Sequence, residues 1–196
     1  GTSTDKTNYR PVALLSVISK VLEMAVRDQI AEYFEKHRLF PSGQHGFRRN
    51  RNTSSALLSI CGRIAAMKQE NKEVAIASYD LSAAFDCLDA NILDRKLTVY
   101  GFDTTSRDWV RSFLTDRRQF VSVGDGRSET AATAFGSPQG SIISPLLFVI
   151  YVADLECWMS NGFASTYADD TAAITSGKSR EEAITQLETT THEILR

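Results

Sequence analysis

The sequence is poor in cysteine, with three residues in 196: Cys61, Cys87 and Cys157, odd in number and far apart. No Cys-x-x-Cys pair occurs, which excludes a zinc ribbon or a disulfide framework and fits a reducing intracellular setting, cytoplasm or nucleus. Long apolar runs are missing too. The longest, Ile142 to Ala153, is broken by Ser144 and Pro145. It falls short of the roughly 20 residues that a bilayer span requires, so no membrane partner is expected. Net charge is nearly absent, -2 from 22 Lys/Arg and 24 Asp/Glu, and composition alone does not announce a nucleic-acid binder. No repeat or low-complexity segment stands out. The opening Gly1-Thr2-Ser3-Thr4-Asp5-Lys6 is polar and lacks Met, so it is no signal peptide and reads as a cut from a longer chain.

What is present is a core and an uneven charge distribution. Hydrophobic residues make up 42%, enough for one ordinary or slightly large domain. Gly1 to Arg51 carries nine Lys/Arg against five Asp/Glu, whereas Tyr151 to Arg196 carries three against eight. A basic front and an acidic back can line opposite walls of one cleft, or simply be uneven solvated surface.

The patterning mixes helices and strands without strict alternation, so the expected class is α+β. Ser16 can cap a helix to about His37, with Ile18, Val21, Leu22, Ala25 and Ile30 at helical spacing. Residues 38–52 read as loop or short strands holding Arg48, Arg49 and Arg51. Thr53 can cap a second helix with Leu57, Ile60, Cys61, Ile64 and Met67 on one face. Val74 to Leu81 reads as a buried strand, and helices are expected at 89–100, with Asp89 as cap, and at 106–115. Gln119 to Ala134 reads as a hairpin around Gly124-Asp125-Gly126-Arg127, and a further helix is expected to begin near Ser141. Phe163 to Ala168 and Thr171 to Thr175 are strand-like, with Asp169-Asp170 as a two-residue tip between them. Ser179-Arg180-Glu181-Glu182 is a capping box opening a last helix.

Taken by itself, an Asp-Asp pair between strands is a solvated turn. Asp80 alters that reading. It ends a strand that is otherwise apolar, and no Lys or Arg stands next to it in sequence, so its carboxylate needs a partner. If the two strands are sheet neighbours, Asp80 and Asp169 can face each other across a gap that fits two Mg²⁺ ions. Hard oxygen ligands with room for water and phosphate suit that ion, and such a pair of ions, roughly 4 Å apart, serves phosphoryl transfer.

Three ordered segments carry a resemblance: Asp80-Leu81-Ser82-Ala83-Ala84-Phe85-Asp86; Ser137-Pro138-Gln139-Gly140-Ser141 with Ser144-Pro145-Leu146-Leu147-Phe148; and Tyr167-Ala168-Asp169-Asp170. They resemble the first, second and third catalytic motifs of reverse transcriptases. Tyr9-Arg10-Pro11-Val12 with Lys20-Val21-Leu22-Glu23, and Gln44-His45-Gly46-Phe47-Arg48, resemble fingers motifs of the non-LTR (LINE-type) retrotransposon branch.

The resemblance implies a fingers-palm architecture with an antiparallel palm sheet packed on helices and no thumb. Residues 1–73 would be fingers, 74–101 palm with the first motif, 102–135 an insertion with the hairpin, and 136–196 palm with the other two motifs. It implies template-directed synthesis of DNA from dNTPs on an RNA template with a DNA primer. The cofactor would be two Mg²⁺ ions, with Mn²⁺ as a substitute. Catalysis and metal binding would fall to Asp80, Asp169 and Asp170, the last adjacent or directly ligating, with Leu81 among the metal-site residues. Phe85 would lie under the sugar and exclude a 2′-hydroxyl by clash. Gln139 and Gly140 would meet the incoming nucleotide, and Arg48 or Arg51 its triphosphate. Arg10 and Lys20 would serve the triphosphate or the template backbone, and Tyr167 would pack near the primer end.

Asp86 has no assigned role, and His37, His45 and His192 show no ligand-like spacing. Two rival readings are an RNA-dependent RNA polymerase-like palm and a non-catalytic nucleic-acid-binding fragment of the same fold. Phe85 speaks against the first, and intact Asp80 and Asp169 against the second.

Overall fold

A computed structural model describes residues 12–80 and 84–195. Arg10 and Leu81, both expected at the site, lie outside the described residues. The chain divides into two compact units that interleave in sequence: Gly1–Ile30 with Phe85–Leu147, and Ala31–Ala84 with Phe148–Arg196. The α+β expectation holds.

Helix α1 spans Val17–Lys36 and α2 spans Thr53–Gln69. As expected, Ser16 caps α1, its Oγ accepting from Ser19 N at 3.1 Å. The cap of α2 is Asn52 rather than Thr53: its Oδ1 accepts from Ser55 N at 2.8 Å while Ser55 Oγ accepts from Asn52 N at 3.0 Å. The expected core face of α1 is overturned. Ile18, Val21, Leu22 and Ala25 are exposed, Ile30 alone of the five is buried, and the buried line runs through Glu23, Ile30 and Phe34. A burial pattern that begins on a carboxylate is invisible to an apolar-spacing argument. On α2, Leu57 and Cys61 are exposed, whereas Ile60, Ile64 and Met67 are half-buried.

The unit formed by Ala31–Ala84 and Phe148–Arg196 holds an antiparallel sheet. Its strands are β1 (Glu73–Asp80), β6 (Phe163–Tyr167) and β7 (Asp170–Gly177), ordered β1-β7-β6. Helix α6 (Arg180–Ile194) packs on β7 and β1, and α2 packs on β6 and β1. Alternation of side chains along each strand divides the sheet into two faces. Tyr79, Ala173 and Thr175 lie on the α6 face, where Tyr79 Oη bonds Thr191 Oγ1 and Thr175 Oγ1 donates to Ala183 O at 2.9 Å. Phe163 and Ile174 are paired on the other face, and the Arg63 guanidinium of α2 lies 4.0 Å from the Phe163 ring centre. Strand β1 is not the buried strand expected from its apolar run. It pairs only with β7 among the described strands, and Ile76 is 48% exposed.

The other unit contains α3 (Ala90–Val99), capped by Asp89 as expected, and α4 (Thr104–Leu114), which packs on α3. The expected hairpin follows. Strand β2 (Arg117–Gln119) pairs with β5 (Ala131–Thr133), and β3 (Ser122–Val123) with β4 (Gly126–Arg127) around a Gly124-Asp125 loop. Helix α5 (Ser144–Tyr151) starts later than Ser141, whose Oγ accepts from Ile143 N and Ser144 N at 3.2 and 3.1 Å. Leu146 through Ile150 are all buried, as befits a helix that is apolar on every side. At the start of α6, Ser179 Oγ accepts from Glu182 N, and the Glu182 carboxylate reaches back to Lys178 N at 2.7 Å.

Candidate active site

The third motif forms the turn between β6 and β7. Tyr167 pairs with Asp170, so the two-residue loop is Ala168-Asp169 rather than Asp169-Asp170, and Asp170 opens β7. Asp170 also pairs with Asp80 at the end of β1. Tyr167, Asp170 and Asp80 therefore form one row across the sheet and share a face. The residue opposite Asp80 is thus Asp170, and Asp169 stands at the turn beside them. Asp80 and Asp170 are exposed and Asp169 is half-buried.

Like charges directly opposite in a ladder repel. Among the described residues no Lys or Arg forms an ion pair with any of the three acids. Nor do three His, Cys, Asp or Glu side chains gather closely enough to cage an ion by themselves among those residues. An uncompensated carboxylate pair with open positions is the donor set that Mg²⁺ takes, since it keeps waters and binds through one or two carboxylates plus substrate phosphates.

The turn is held from beneath. Ala168 sits at φ +60°, a left-handed conformation that costs an L-residue roughly 1–2 kcal/mol. The segment Gly43–Gly46 runs alongside β6. Gln44 bridges Thr166 in parallel, Thr166 N donates to Gly43 O at 2.9 Å, and His45 N donates to Thr166 O at 2.8 Å. The Thr166 hydroxyl donates to Gln44 Oε1, and Gln44 Nε2 donates to Gly46 O at 3.0 Å. At Gly46 a Cβ would lie 2.3 Å from Ala168 N, so only glycine permits this approach. The Gln44-His45-Gly46 motif, expected to act as fingers, thus braces the acidic turn.

Arg48 and Arg51 differ. The Arg48 fork grips Glu35 at 3.0 and 2.8 Å, donates to the carbonyls of Pro41 and Gln44, and lies 4.8 Å from the Phe40 ring centre. Its side chain is 11% exposed. This engagement holds the Glu35 carboxyl below its usual range, with the Arg48 hydrogen bond as the largest cause. Arg51 is exposed and in no ion pair among the described residues. His45 is buried, with Nδ1 2.9 Å from Ser55 Oγ and Nε2 without a hydrogen-bond partner. Burial, and then the charges of Arg51 and Arg48, push its pKa down.

Phe85, Gln139, Gly140 and Lys20 belong to the other unit. Phe85 is half-buried in a 3₁₀ turn at Ala84–Asp86. Gln139 Nε2 stands 3.2 and 3.1 Å from the two carboxylate oxygens of Asp86. The Gln139 carbonyl accepts from Ala13 N at 2.7 Å, and Gly140 has φ +105°. The buried Glu23 carboxylate accepts from Ser19 Oγ, Ser141 Oγ and Ile142 N at 3.0, 2.6 and 2.8 Å, fixing the segment after Gly140. Lys20 is half-buried on α1. Glu23 and Gln44, quoted only as parts of motifs, and Glu35, not singled out at all, are the residues whose holding contacts sequence reasoning missed. Only Glu23 had a local signal, as an acid set among apolar positions of a helix.

Solved structures define the class. The telomerase of Candida albicans superposes with a TM-score of 0.61 at 13% identity, covering 88% of this chain and 32% of that one. Together with the acidic row, this is the fingers-palm fold of a polymerase. The chain matches the family "Reverse transcriptase (RNA-dependent DNA polymerase)" over residues 2–195, and it belongs to that family. It is 31% identical over 187 residues to the RNA-directed DNA polymerase from mobile element jockey of Drosophila melanogaster, covering 91% of this chain. Identity to the jockey polymerase of Drosophila funebris is 29% over 193 residues, covering 94%. These relatives place it on the non-LTR retrotransposon branch. The chain spans about a fifth of their length, 20% and 21%. Among the described residues no helix is long and apolar enough to cross a membrane.

Proposed function

We propose that this chain forms the polymerising core of an RNA-directed DNA polymerase of a non-LTR retrotransposon, acting inside the cell. It would transfer a nucleotide from a dNTP to a DNA primer 3′-hydroxyl on an RNA template. The observation that carries the reading is the in-register Asp80–Asp170 pair beside Asp169, without a neutralising cation among the described residues. Family membership and the jockey relatives support the same chemistry.

In this reading Asp80, Asp169 and Asp170 hold the divalent cations, Mg²⁺ or Mn²⁺ in its place, and Leu81, outside the described residues, is counted with them by resemblance alone. When bound, two such ions supply activation of the 3′-hydroxyl and charge stabilisation at the leaving pyrophosphate. The residues around the acids do the positioning. The Gly43–Gly46 segment fixes the height of the turn, and Tyr167 presents its ring on the acids' face towards the primer end. Arg51 offers an exposed guanidinium for the triphosphate, a task for which Arg48 is occupied by Glu35. Lys20 and Arg10 serve the template backbone, so binding weakens with salt. Phe85 blocks a 2′-hydroxyl, and Gln139 with Gly140 meets the nucleotide. Residues 1–73 and 102–135 are assigned to fingers and insertion, and 74–101 and 136–196 to palm.

The test is Mg²⁺-dependent primer extension on an RNA template. Asp169→Asn is expected to abolish incorporation, and Phe85→Val to raise ribonucleotide use while sparing dNTP use. Extension that survives Asp169→Asn, or proceeds equally in chelator, refutes the reading.

A further inference from the structure

The sheet that carries the acids has an opposite end. The β1–β7 ladder runs from Asp80–Asp170 back to Glu73–Gly177, roughly 23 Å at the rise of a strand. Lys72 and Lys178 stand one residue beyond that last pair. A cavity of about 400 Å³ opens there, between Arg63 and Met67 of α2, the start of β6, the end of β7 and the first turns of α6. All of it lies within the unit formed by Ala31–Ala84 and Phe148–Arg196. Two of its walls are bare main chain. Gly162 has φ +92°, and a Cβ there would lie 2.5 Å from Ile174 O; at Gly177 a Cβ would lie 2.7 Å from Ala183 N. Glycine lets these segments close on their neighbours without filling the space between.

The charges around the cavity do not cancel. Arg63, Lys72 and Lys178 line it against one acid, Glu182, whose carboxylate is already engaged by Lys178 N at 2.7 Å and Gln186 Nε2 at 3.5 Å. Arg63 and Lys178 are exposed and form no ion pair among the described residues. The Arg63 guanidinium is held instead on the Phe163 ring, 4.0 Å from its centre, which occupies its π face and leaves its N–H edge free to donate. Glu156 feels the Arg63 charge without forming an ion pair with it. Lys72 is tied only to Glu70 at 2.7 Å, an exposed pair of little strength. Asn161 and Ser176 add an amide and a hydroxyl that make no side-chain hydrogen bond among the described residues.

These unspent donors suit an oxyanion, and a guanidinium fork beside ammonium groups suits phosphate. A lone phosphate ion would leave most of the cavity empty. A nucleotide unit fills it, with its phosphate on the cations and its sugar and base against Met67 and the Arg63–Phe163 pair, since single strands are held by backbone charge together with stacking on aromatic or guanidinium planes. We propose that this cavity is an anchoring site for the backbone of single-stranded nucleic acid, remote from the acids, with Arg63, Lys72 and Lys178 as its phosphate-binding residues. The site stands on its own residues and does not rest on the polymerase reading.

The test uses the ¹⁵N-labelled 196-residue chain in chelator, titrated with an eight-residue oligouridylate. The backbone amides of Gly162, Gly177 and Lys178 are expected to shift, and Lys178→Gln, at an exposed position, is expected to abolish those shifts with the melting temperature unchanged. By fluorescence anisotropy Lys178→Gln and Arg63→Gln should each weaken binding about three- to tenfold and lower the salt slope by about 0.7 per lost phosphate contact. Lys36→Gln removes the same charge from an exposed site on α1 and should leave affinity unchanged. Amides at the cavity that stay still overturn the proposal, as does an equal loss in Lys36→Gln. Equal shifts with inorganic phosphate or with oligoglutamate at the same concentration overturn the assignment to nucleic acid. None of these results bears on Asp80, Asp169 and Asp170, whose reading is decided separately by Mg²⁺-dependent extension.

Discussion

Asp80 and Asp170 stand directly opposite each other in the β1–β7 ladder, two carboxylates on one face with no described cation paired to either. In chelator this juxtaposition opposes folding. Replacing either acid by Asn is expected to raise the melting temperature by roughly 1–3 °C, the scale of a like-charge cross-strand pair in a chain of this size. Mg²⁺ is expected to raise the wild-type melting temperature by mass action and to leave both variants nearly unmoved. Thermal melts with and without Mg²⁺ decide it; a wild type indifferent to Mg²⁺ removes the pair from the metal site.

Much of this layout was legible in the sequence, because helix caps, strand runs and ordered motifs are local signals. Ser16, Asp89 and Ser179 cap the helices they were expected to cap, and the acids fall at strand ends. What was not legible is long-range. That Asp170 rather than Asp169 faces Asp80 follows from ladder register, which the turn at Ala168-Asp169 sets. The wrong face of α1 was chosen because Glu23 is buried by hydrogen bonds to Ser141 and Ile142, far away in sequence. The resemblance put one or both of Arg48 and Arg51 at the triphosphate, and nothing near Arg48 in sequence announces its pairing with Glu35.

The acidic turn is held by a strained alanine above a glycine. Ala168 at φ +60° would lose that strain as glycine, so Ala168→Gly is expected to be neutral or stabilising by up to about 1 kcal/mol. Ala168→Val, β-branched in the left-handed region, is expected to destabilise. Gly46→Ala places a methyl into the Tyr167–Ala168 backbone and should destabilise by about 1–3 kcal/mol, with the Mg²⁺ response weakened. Urea unfolding of the three variants reads the order. Gly46→Ala that unfolds like wild type would show that the segment does not brace the turn.

Arg48 and Arg51 separate structure from ligand. Arg48→Ala leaves Glu35 without its fork and takes a donor from the carbonyls of Pro41 and Gln44, of which Pro41 O keeps Gln44 N, so a loss of about 1–3 kcal/mol is expected. Glu35→Gln should lose less, and the two changes should not add, because they break one network. Arg51→Ala, at an exposed site, is expected to leave stability within about 0.5 kcal/mol but to weaken triphosphate binding. Urea midpoints and nucleotide titrations distinguish the two. Equal destabilisation by both substitutions would mean that Arg51 also belongs to the scaffold.

His45 gives the fold a pH dependence whose sign is fixed by its surroundings. Burial, with Arg51 and Arg48 nearby, lowers its pKa below the ordinary 6.5. The unfolded chain therefore takes up a proton at a pH where the folded chain does not. Its contribution to stability is complete above about pH 6.5 and is lost as pH falls through the lowered folded value. Glu35, also lowered, acts in a separate window: its contribution is present above its ordinary value of 4.5 and lost as pH falls below it. Urea midpoints at about pH 8 and about pH 5.5, a span that brackets the histidine but stays above the carboxylate, should drop for the wild type. They should drop less for His45→Gln, which cannot take up the proton. Equal drops in the two proteins would place the titrating group elsewhere and leave His45 able to charge within the fold.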